Sequence, residues 1–171
     1  MLELTLDHSE LGRLADEFAA TPKQVELSVR RANSRSARVL KTMAGRELKG
    51  ELDLRTMKHI RRRLRDSTQG GVSLWVGINS LPIVAFKGRP RQTATGVRVG
   101  EQSAEGAFLA LGGAFYRTGP DRFPLATAVV PISEQALAVL EGTIWPRMKE
   151  VFMEAFTAEL RARTLFGVGA K

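Results

Sequence analysis

The residue types that most enzymes use for catalysis are few in this chain and poorly spaced for chemistry. Histidine occurs only as His8 and His59, and neither has a second histidine or a carboxylate at the spacing of metal ligands. Ser73 and Ser103 lack the sharp strand-to-helix turn that exposes a nucleophilic serine. The glycines lie among expected strands and hairpin turns, away from any strand-to-helix junction that could cradle a phosphate. We therefore expect a protein that is not an enzyme and that uses no metal or cofactor.

Basic side chains are the strongest chemical signal in the sequence. The net charge is +8 and the pI is near 10.6. Between Arg30 and Arg65, 13 Lys or Arg residues stand against three acidic ones, a balance of +10, so the rest of the chain sums to −2. Such segregation predicts a polyanionic partner or an acidic protein surface.

The run Arg61-Arg62-Arg63-Leu64-Arg65 has two interpretations. Short basic runs often form a solvated helix face with no partner. The alternative is contact with nucleic acid phosphates or with an acidic ring of another protein, which the charge of two adjacent expected helices favours. Base-specific recognition is not expected, because no helix-turn-helix spacing is present and aromatic residues are only 6% of the chain. The candidate contact residues are Arg31, Arg35, Arg38, Arg61, Arg62 and Arg65.

Length and composition predict one globular domain over residues 1–171. A chain of 171 residues with 43% hydrophobic content is long enough to bury one core. Cysteine is absent, which excludes disulfides and zinc-thiolate sites. No apolar run approaches the ~18 residues that a bilayer span requires, and the first residues lack the pattern of a signal peptide. We expect a protein kept in the cytoplasm unless an assembly carries it elsewhere.

Two basic helices are expected in the first half of the chain, after a strand of alternating residues at Leu2, Leu4 and Leu6 and a short helix capped by Ser9. Thr21-Pro22 opens the first long helix, and its end is placed between Gly45 and Gly50. Its expected apolar seam is Val25, Val29, Ala32, Ser36, Val39 and Met43. A second basic helix is expected from Asp53, with Leu54, Met57, Ile60 and Leu64 facing inward.

A long helix is expected at the other end of the chain, from Ser133 onward, with a kink that Pro146 imposes near Trp145. Its apolar face is broader than an exposed helix needs, which leaves two interpretations, a core element or an oligomer seam. The residues expected in the core are Trp75, Trp145, Phe152 and Phe156.

Strands and turns fill the middle of the chain. Strands are expected over Val72–Ile78, Ile83–Lys87 and Val97–Gly100, with an exposed basic loop over Gly88–Gly96 that carries Arg89 and Arg91. A hairpin is expected from Ala107–Leu111 and Ala114–Arg117, joined by Gly112-Gly113. A turn at Thr118–Asp121 and a strand over Leu125–Val130 follow. The predicted fold class is therefore α+β, a small mostly antiparallel sheet with a long basic N-terminal helix pair and a long kinked C-terminal helix packed on it.

Several segments, in this order, resemble the prophage minor tail protein Z family. They are Ile60-Arg61-Arg62-Arg63-Leu64, the strand Leu74–Pro82, the Pro90-Arg91-Gln92-Thr93 loop with Gly96-Val97, and Phe115-Tyr116-Arg117-Thr118-Gly119 leading to Arg122-Phe123-Pro124-Leu125. The similarity covers roughly Arg30 to Gly142. The sequence departs from the family pattern at Pro120-Asp121, where a more basic turn is expected.

The resemblance implies a tail completion protein of long-tailed bacteriophages. Such a protein acts at the head-proximal end of the tail, with the tail terminator and the head-tail connector, and enables the tail to join the head. Expected partners are these neck proteins and further copies in a ring, with non-specific DNA contact possible and no membrane or small-molecule substrate. The expected location is the virion neck, and the host cytoplasm during assembly. The assembly contacts are expected at Tyr116, Arg117, Asp121 and Arg122. Arg89 and Arg91 join them on separate grounds, since their loop is either a plain solvent-exposed loop or an arm that docks a partner.

A freestanding nucleic-acid-binding protein without sequence specificity is the alternative. It follows from the charge alone, because Lys and Arg side chains that neutralise phosphates bind any nucleic acid sequence. The same arginines between Arg31 and Arg65 would then carry the function.

Overall fold

The structure, a computed structural model, describes residues 2–3, 8–68 and 71–168. It confirms the α+β class, with a long helix in each half of the chain and small antiparallel sheets between them. The helices are α1 (His8–Glu17), α2 (Pro22–Glu51), α3 (Lys58–Arg61), α4 (Ser133–Val139) and α5 (Trp145–Leu165). None of the helices within the described ranges combines the length and the apolar character needed to cross a membrane.

The strands are short and belong to four separate antiparallel sheets. They are β1 (Leu2–Glu3), β2 (Leu64–Ser67), β3 (Ser73–Val76), β4 (Leu81–Pro82), β5 (Arg91–Gln92), β6 (Gly96–Val99), β7 (Gln102–Glu105), β8 (Phe108–Ala110), β9 (Gly113–Arg117), β10 (Leu125–Thr127) and β11 (Val129–Val130). The sheet orders are β1-β3-β2, β5-β6-β7, β10-β9-β8 and β11-β4. The expected strand over Leu2, Leu4 and Leu6 is present at Leu2–Glu3, and residues 4–7 lie outside the described ranges.

The chain divides into two compact units. The first takes the described residues of Met1–Ala44, Leu64–Val76 and Leu140–Lys171, and the second takes Gly45–Arg63 and Gly77–Val139. The first therefore holds α1, most of α2, the sheet β1-β3-β2 and α5. The other three sheets, α3 and α4 belong to the second. The prediction of a single domain over residues 1–171 stays a prediction.

A reciprocal capping box starts α2 in the first unit. The Gln24 backbone N–H donates to the Thr21 hydroxyl over 3.3 Å, and the Thr21 backbone N–H donates to Gln24 Oε1 over 2.8 Å. Two of the otherwise unsatisfied donors at the helix start are thus paired. Pro22 follows at the first helical position, where its missing N–H costs nothing. The expected helix start is confirmed.

Helices α2 and α5 pack antiparallel in the first unit. Gln24 Nε2 donates to the carbonyl of Arg163 over 3.3 Å, and twelve residues further along, Ser36 Oγ donates to the carbonyl of Val151 over 3.4 Å. Both contacts join side chains of α2 directly to the backbone of α5. Buried small residues of α2 let the two backbones approach, and the centre of this core is a stacked aromatic pair, Phe152 and Phe156, with centroids 6.1 Å apart.

The buried stripe of α2 differs from the predicted seam. Val39, expected inside, is 39% exposed. The fully buried positions instead advance in steps of four along Ser28, Ala32, Ser36, Leu40, Ala44 and Leu48. Each four-residue step turns about 40° around a helix of 3.6 residues per turn, so the buried face winds around α2, whereas a seam of alternating threes and fours stays on one side. The helix continues to Glu51, one residue past the expected range.

The two tryptophans are exposed, which corrects the prediction that they lie in the core. Trp75 is 48% exposed on β3, because the alternation that buries Leu74 turns its neighbour outward. Trp145 is 44% exposed, because the helical spacing that buries Ile144 and Met148 leaves it on another side. The predicted interruption near Trp145 is present as a π-helical turn over Leu140–Ile144, and Pro146 lies in the first turn of α5.

The predicted second basic helix is wrong over most of its length. Asp53 adopts a left-handed φ of 48°, which stops the helical chain. Leu54 then forms an isolated antiparallel bridge with Phe86, and the Arg55 N–H donates to the carbonyl of Ala85 over 3.0 Å. Only Lys58–Arg61 is helical, and Leu64 already begins β2. The apolar spacing was right for burial of Leu54, Ile60 and Leu64 but not for helix.

Three local predictions in the second unit also change. Residues Ile83–Ala85 form a 3₁₀ turn where a strand was expected. The expected strand over Leu125–Val130 divides at Ala128, whose N–H donates to Ala114 and whose carbonyl accepts from Ile83, so β10 and β11 join different sheets. The expected exposed loop Gly88–Gly96 contains the short strand β5.

Candidate assembly surface

The outer face of the β10-β9-β8 sheet in the second unit carries aromatic and arginine side chains. Phe115 lies opposite Phe108 across the strand pair, and Arg117 lies opposite Leu125. The Arg117 guanidinium is 5.7 Å from the centroid of the Phe108 ring, within cation–π range. The Phe115 ring covers Gly113, where a Cβ would meet ring carbons at 2.9 and 3.0 Å. The result is a half-exposed patch of aromatic rings edged by a cation.

The hairpin tip presents an exposed leucine in an unfavourable conformation. The turn residues between β8 and β9 are Leu111 and Gly112, with φ of 49° and 74°, so the expected Gly112-Gly113 loop lies one residue earlier. A left-handed φ costs a non-glycine residue about 1 kcal/mol, and Leu111 is 92% exposed. Neither the turn nor the core accounts for a leucine at this position.

The loop between β9 and β10 adds a second exposed hydrophobic side chain. The Thr118 hydroxyl donates to the carbonyl of Pro124 over 2.9 Å and closes the loop. Phe123 is 62% exposed, and the Arg122 guanidinium lies 5.6 Å from its ring centroid. Asp121 is exposed in the same loop. The loop therefore extends the aromatic and arginine character of the neighbouring sheet.

A groove joins the hairpin tip to the basic loop before β5. It encloses about 370 Å³ and is lined on one side by Arg89 and Pro90 and on the other by Leu109–Gly113. The Gln92 side chain connects the two segments, because its Nε2 donates to the carbonyl of Ala107 and its Oε1 accepts from the Leu109 N–H, at 3.2 and 2.9 Å. The position of the arginine loop beside the hairpin is thus fixed by hydrogen bonds.

Most of the predicted assembly residues are exposed in this unit. Arg89 lines the groove, Arg117 lies on the outer sheet face, and Asp121 and Arg122 lie in the β9–β10 loop. Arg91 lies on β5. Tyr116 is half-buried on the opposite face of β9, because successive residues of a strand alternate between faces.

Sequence reasoning missed four residues of this surface, Phe108, Leu111, Phe123 and Arg98. The alternation Val97-Arg98-Val99 could have identified Arg98 as outward-facing, since both valines are buried. A one-residue shift of the turn hid Leu111. No local pattern marks Phe123 as exposed, because a phenylalanine beside prolines is equally typical of a core.

The predicted basic contacts on α2 share one side of the helix. Arg31, Arg35 and Arg38 are all exposed, and their spacing places them within about 60° around the axis. Close by in the first unit, Lys41 Nζ lies 2.7 Å from Asp66 Oδ1. That hydrogen bond, with further attraction from Lys41 and Arg38, lowers the pKa of Asp66 despite its partial desolvation. Arg65, on the same strand, stacks 5.7 Å from the Trp75 ring centroid.

The remaining basic contacts, Arg61 and Arg62, are exposed in the second unit beside His59. Burial lowers the pKa of His59 below its usual 6.5, and repulsion from Lys58, Arg63, Arg55 and Arg62 lowers it further. The Arg63 guanidinium donates to the carbonyls of Asn79 and Ser80. His59 therefore lies among cations that disfavour its protonated form.

We expect acidification to weaken the fold through His59. A lowered folded-state pKa means that the folded chain binds fewer protons than the unfolded one, so the stabilisation is complete above pH 6.5 and is lost as pH falls through the lower folded pKa. In the His59→Gln variant, the unfolding free energy should decrease less steeply as the pH is lowered from 6.5 through the folded-state pKa of His59. Urea titrations at a series of pH values would measure this slope. Identical pH slopes for the two proteins would contradict the assignment.

In the described part of the chain, no group of three or more His, Asp or Glu side chains is placed to hold a metal ion. Comparison with known proteins adds no assignment, since no family model, curated protein or solved structure matches the chain.

Proposed function

We propose that the chain is a structural protein of a long-tailed phage or prophage, a minor tail protein that completes the head-proximal end of the tail. In this role it assembles with the tail terminator and further neck proteins, with copies of itself in a ring, and makes the tail competent to join a head. The virion neck is its proposed location, reached from the host cytoplasm during assembly. It performs no catalysis.

One observation carries the proposal: the β10-β9-β8 sheet of the second unit carries exposed hydrophobic and arginine side chains on its outer face, at its β8–β9 hairpin tip and in its β9–β10 loop. Leu111 and Phe123 are 92% and 62% exposed, and arginines stack on Phe108 and Phe123. Aromatic residues and arginine are enriched at protein interfaces, and they supply most of the residues whose truncation abolishes binding. These features favour a protein that functions by binding other proteins.

Some of the segments that resemble the tail protein family lie at or beside this surface. Phe115–Gly119 includes the outer strand and the start of the loop, and Arg122–Leu125 includes the exposed phenylalanine and the first residue of β10. Pro90–Thr93 lies beside the groove. The resemblance and the exposed surface thus support the same role through many of the same residues.

The test is complementation of a phage that lacks this gene. The deletion should yield tails that fail to join heads in electron micrographs, and the wild-type chain should restore virions. A chain with Leu111→Asp and Phe123→Asp should fold and yet reduce infectious particles by about tenfold or more, because charge at a hot spot removes binding energy of at least 1.4 kcal/mol.

The matched control is Leu165→Asp with Phe166→Asp, since these side chains are 64% and 74% exposed in the first unit. This pair should restore virions like the wild type. Normal virions from the deletion itself would refute the tail function. Normal virions from the Leu111 and Phe123 variant would refute the surface assignment only.

A freestanding nucleic-acid-binding protein is the second candidate, favoured by the exposed row Arg31, Arg35 and Arg38. It requires tight duplex binding by the isolated chain, with affinity that falls steeply with salt. Changing the three arginines to Gln should then lower the salt slope by roughly one per lost phosphate contact. A rise in the pKa of His59 on adding duplex, followed by NMR, would place the DNA at Arg61 and Arg62 instead.

A further inference from the structure

Two arginines lie directly opposite each other on the exposed face of the β5-β6-β7 sheet. Arg91 of β5 pairs with Arg98 of β6, and Arg98 in turn pairs with Ser103 of β7. All three residues are exposed, while the other face of the sheet buries Val97 and Ala104. Like charges directly opposite across a strand pair are destabilising. This juxtaposition therefore costs stability unless something neutralises it.

Within the described residues, no acidic side chain forms an ion pair with these arginines. The ion pairs found there include none to Arg89, Arg91 or Arg98. Glu101 and Glu105 line a neighbouring cleft with Arg98 without forming such a pair. Arg98 Nε donates to the carbonyl of Gly100 over 3.1 Å, which orients the guanidinium while leaving its terminal N–H groups available.

The three arginines surround a cleft of about 400 Å³, lined by Gly88, Arg89, Arg91, Thr93, Arg98 and Gly100. Its glycines allow two backbone segments to meet, since a Cβ on Gly88 would lie 2.5 Å from the amide nitrogen of Gly100. Gly88 and Gly100 also adopt φ values of 115° and 57°. The cleft is thus built by backbone geometry that other residues would disrupt, and its rim is cationic.

Arg89 lines both this cleft and the apolar groove beside the hairpin tip. The groove adds Val84, Pro90, Leu109 and the exposed Leu111 to the arginine rim. Cationic and apolar surfaces therefore adjoin at a single residue. A ligand that occupies both must carry anionic groups next to an apolar group.

We propose that the cleft and groove bind an acidic segment of a partner protein, with Asp or Glu carboxylates on Arg89, Arg91 and Arg98 and a neighbouring apolar side chain against Leu111. Each arginine can bind a carboxylate through two parallel N–H donors, so the three arginines that line the cleft suit a segment with several carboxylates. The lining includes no aromatic ring on which a base could stack, so the surface favours a peptide over single-stranded nucleic acid. The inference rests on the proposed assembly function and names the chemistry of its partner.

The test uses the full chain and a fluorescent synthetic peptide in which a leucine precedes consecutive glutamates. Fluorescence anisotropy should show saturable binding that a peptide with glutamines in place of the glutamates does not reproduce. Arg91→Gln with Arg98→Gln should weaken binding by about tenfold or more, because charge-assisted hydrogen bonds are lost. The same variant should unfold at the same or a higher temperature than the wild type, because the opposed charges are gone.

Arg46→Gln with Arg55→Gln is the charge-matched control, since both arginines are exposed in the same unit and neither lines the cleft or groove. It should leave the peptide affinity within about twofold, the ordinary scatter of such measurements for a site with no lost contact. An equal loss in both double variants would show attraction by net charge alone and overturn the proposal. So would equal binding of the glutamine peptide.

Leu111→Gly separates binding from folding. Glycine is better suited to the left-handed φ of 49°, so the variant should be at least as stable as the wild type while its peptide affinity falls. Unchanged affinity would remove Leu111 from the site. The proposal would also be overturned if a single-stranded oligonucleotide bound at Arg91 and Arg98 with higher affinity than the peptide. In that case the ligand of the cleft would be a nucleic acid.

The outcome is independent of the phage experiment. If the wild-type protein does not bind the glutamate peptide, this inference is overturned even if the deletion blocks head joining. Normal virions from the deletion would overturn the tail function even if the peptide binds at the arginines.

Discussion

Replacing Gly96 with alanine is expected to destabilise the second unit by about 3 kcal/mol or more, because overpacking against backbone that cannot move aside lies at the upper end of such costs. A Cβ at this position would lie 2.2 Å from the carbonyl oxygen of Ala104 and 2.8 Å from the Cα of Glu105. Gly96 also accepts hydrogen bonds on its carbonyl from the Thr93 N–H and Gln92 Nε2, at 2.7 and 2.9 Å. The β5–β6 turn therefore loses its geometry when β7 is pushed away.

Urea denaturation followed by circular dichroism would measure the loss, and hydrogen exchange would locate it in β6 and β7. The matched control is Gly119→Ala, at a glycine with no atom near the added Cβ and no positive φ. It should change the unfolding free energy by no more than about 0.5 kcal/mol. If Gly96→Ala were as stable as Gly119→Ala, the close approach of β7 to Gly96 would be wrong, and with it the register of β6 against β7.

Replacing Phe152 with alanine should remove about 3 to 5 kcal/mol from the stability of the first unit, the usual cost of deleting a fully buried phenylalanine. Its side chain is completely buried and stacks on Phe156 with ring planes 8° apart. The cavity cannot collapse easily, because α2 is anchored to α5 on both sides, at Gln24 and Ser36. A lowered urea midpoint with accelerated exchange in α5 is the expected measurement.

Phe166→Ala is the control for Phe152→Ala, because Phe166 is 74% exposed just beyond α5. Its effect should stay within about 0.5 kcal/mol, as for most surface substitutions. A comparable loss in both variants would mean that Phe152 is not the centre of the core.

The sequence predicted correctly those elements that are determined by residues close to one another along the chain. The start of α2 follows from Thr21, Pro22 and Gln24, whose side chains satisfy the helix end within one turn. The hairpin follows from paired apolar runs around glycine, and the interruption before α5 is where Pro146 predicts it. In each case the residues that decide the element lie close together in the sequence, within the range of turns, hairpins and caps.

The elements that the sequence did not predict depend on pairing between segments that are distant in the sequence. Leu54 has the spacing of a helical core residue but bridges Phe86, and Leu64 has the same spacing but pairs with Val76 in a sheet. The spacing of apolar residues predicts which side chains are buried. Whether those side chains lie in a helix or in a strand depends on pairing with a segment elsewhere in the chain. The arginine cleft has the same origin, since Arg91 meets Arg98 only through the register of β5 and β6.

The division of the chain into interleaved segments determines the order in which its two units can fold during synthesis. Every residue of the second unit precedes Leu140, while the first unit needs α5, the last helix described, to supply Phe152 and Phe156. The ribosome therefore delivers all of the arginine cleft and hairpin before the first unit can close its core, although the first unit also contains α1 and most of α2, which precede them in the sequence. These helices must wait until α5 has been synthesised, and their apolar surface is open to chaperones until then.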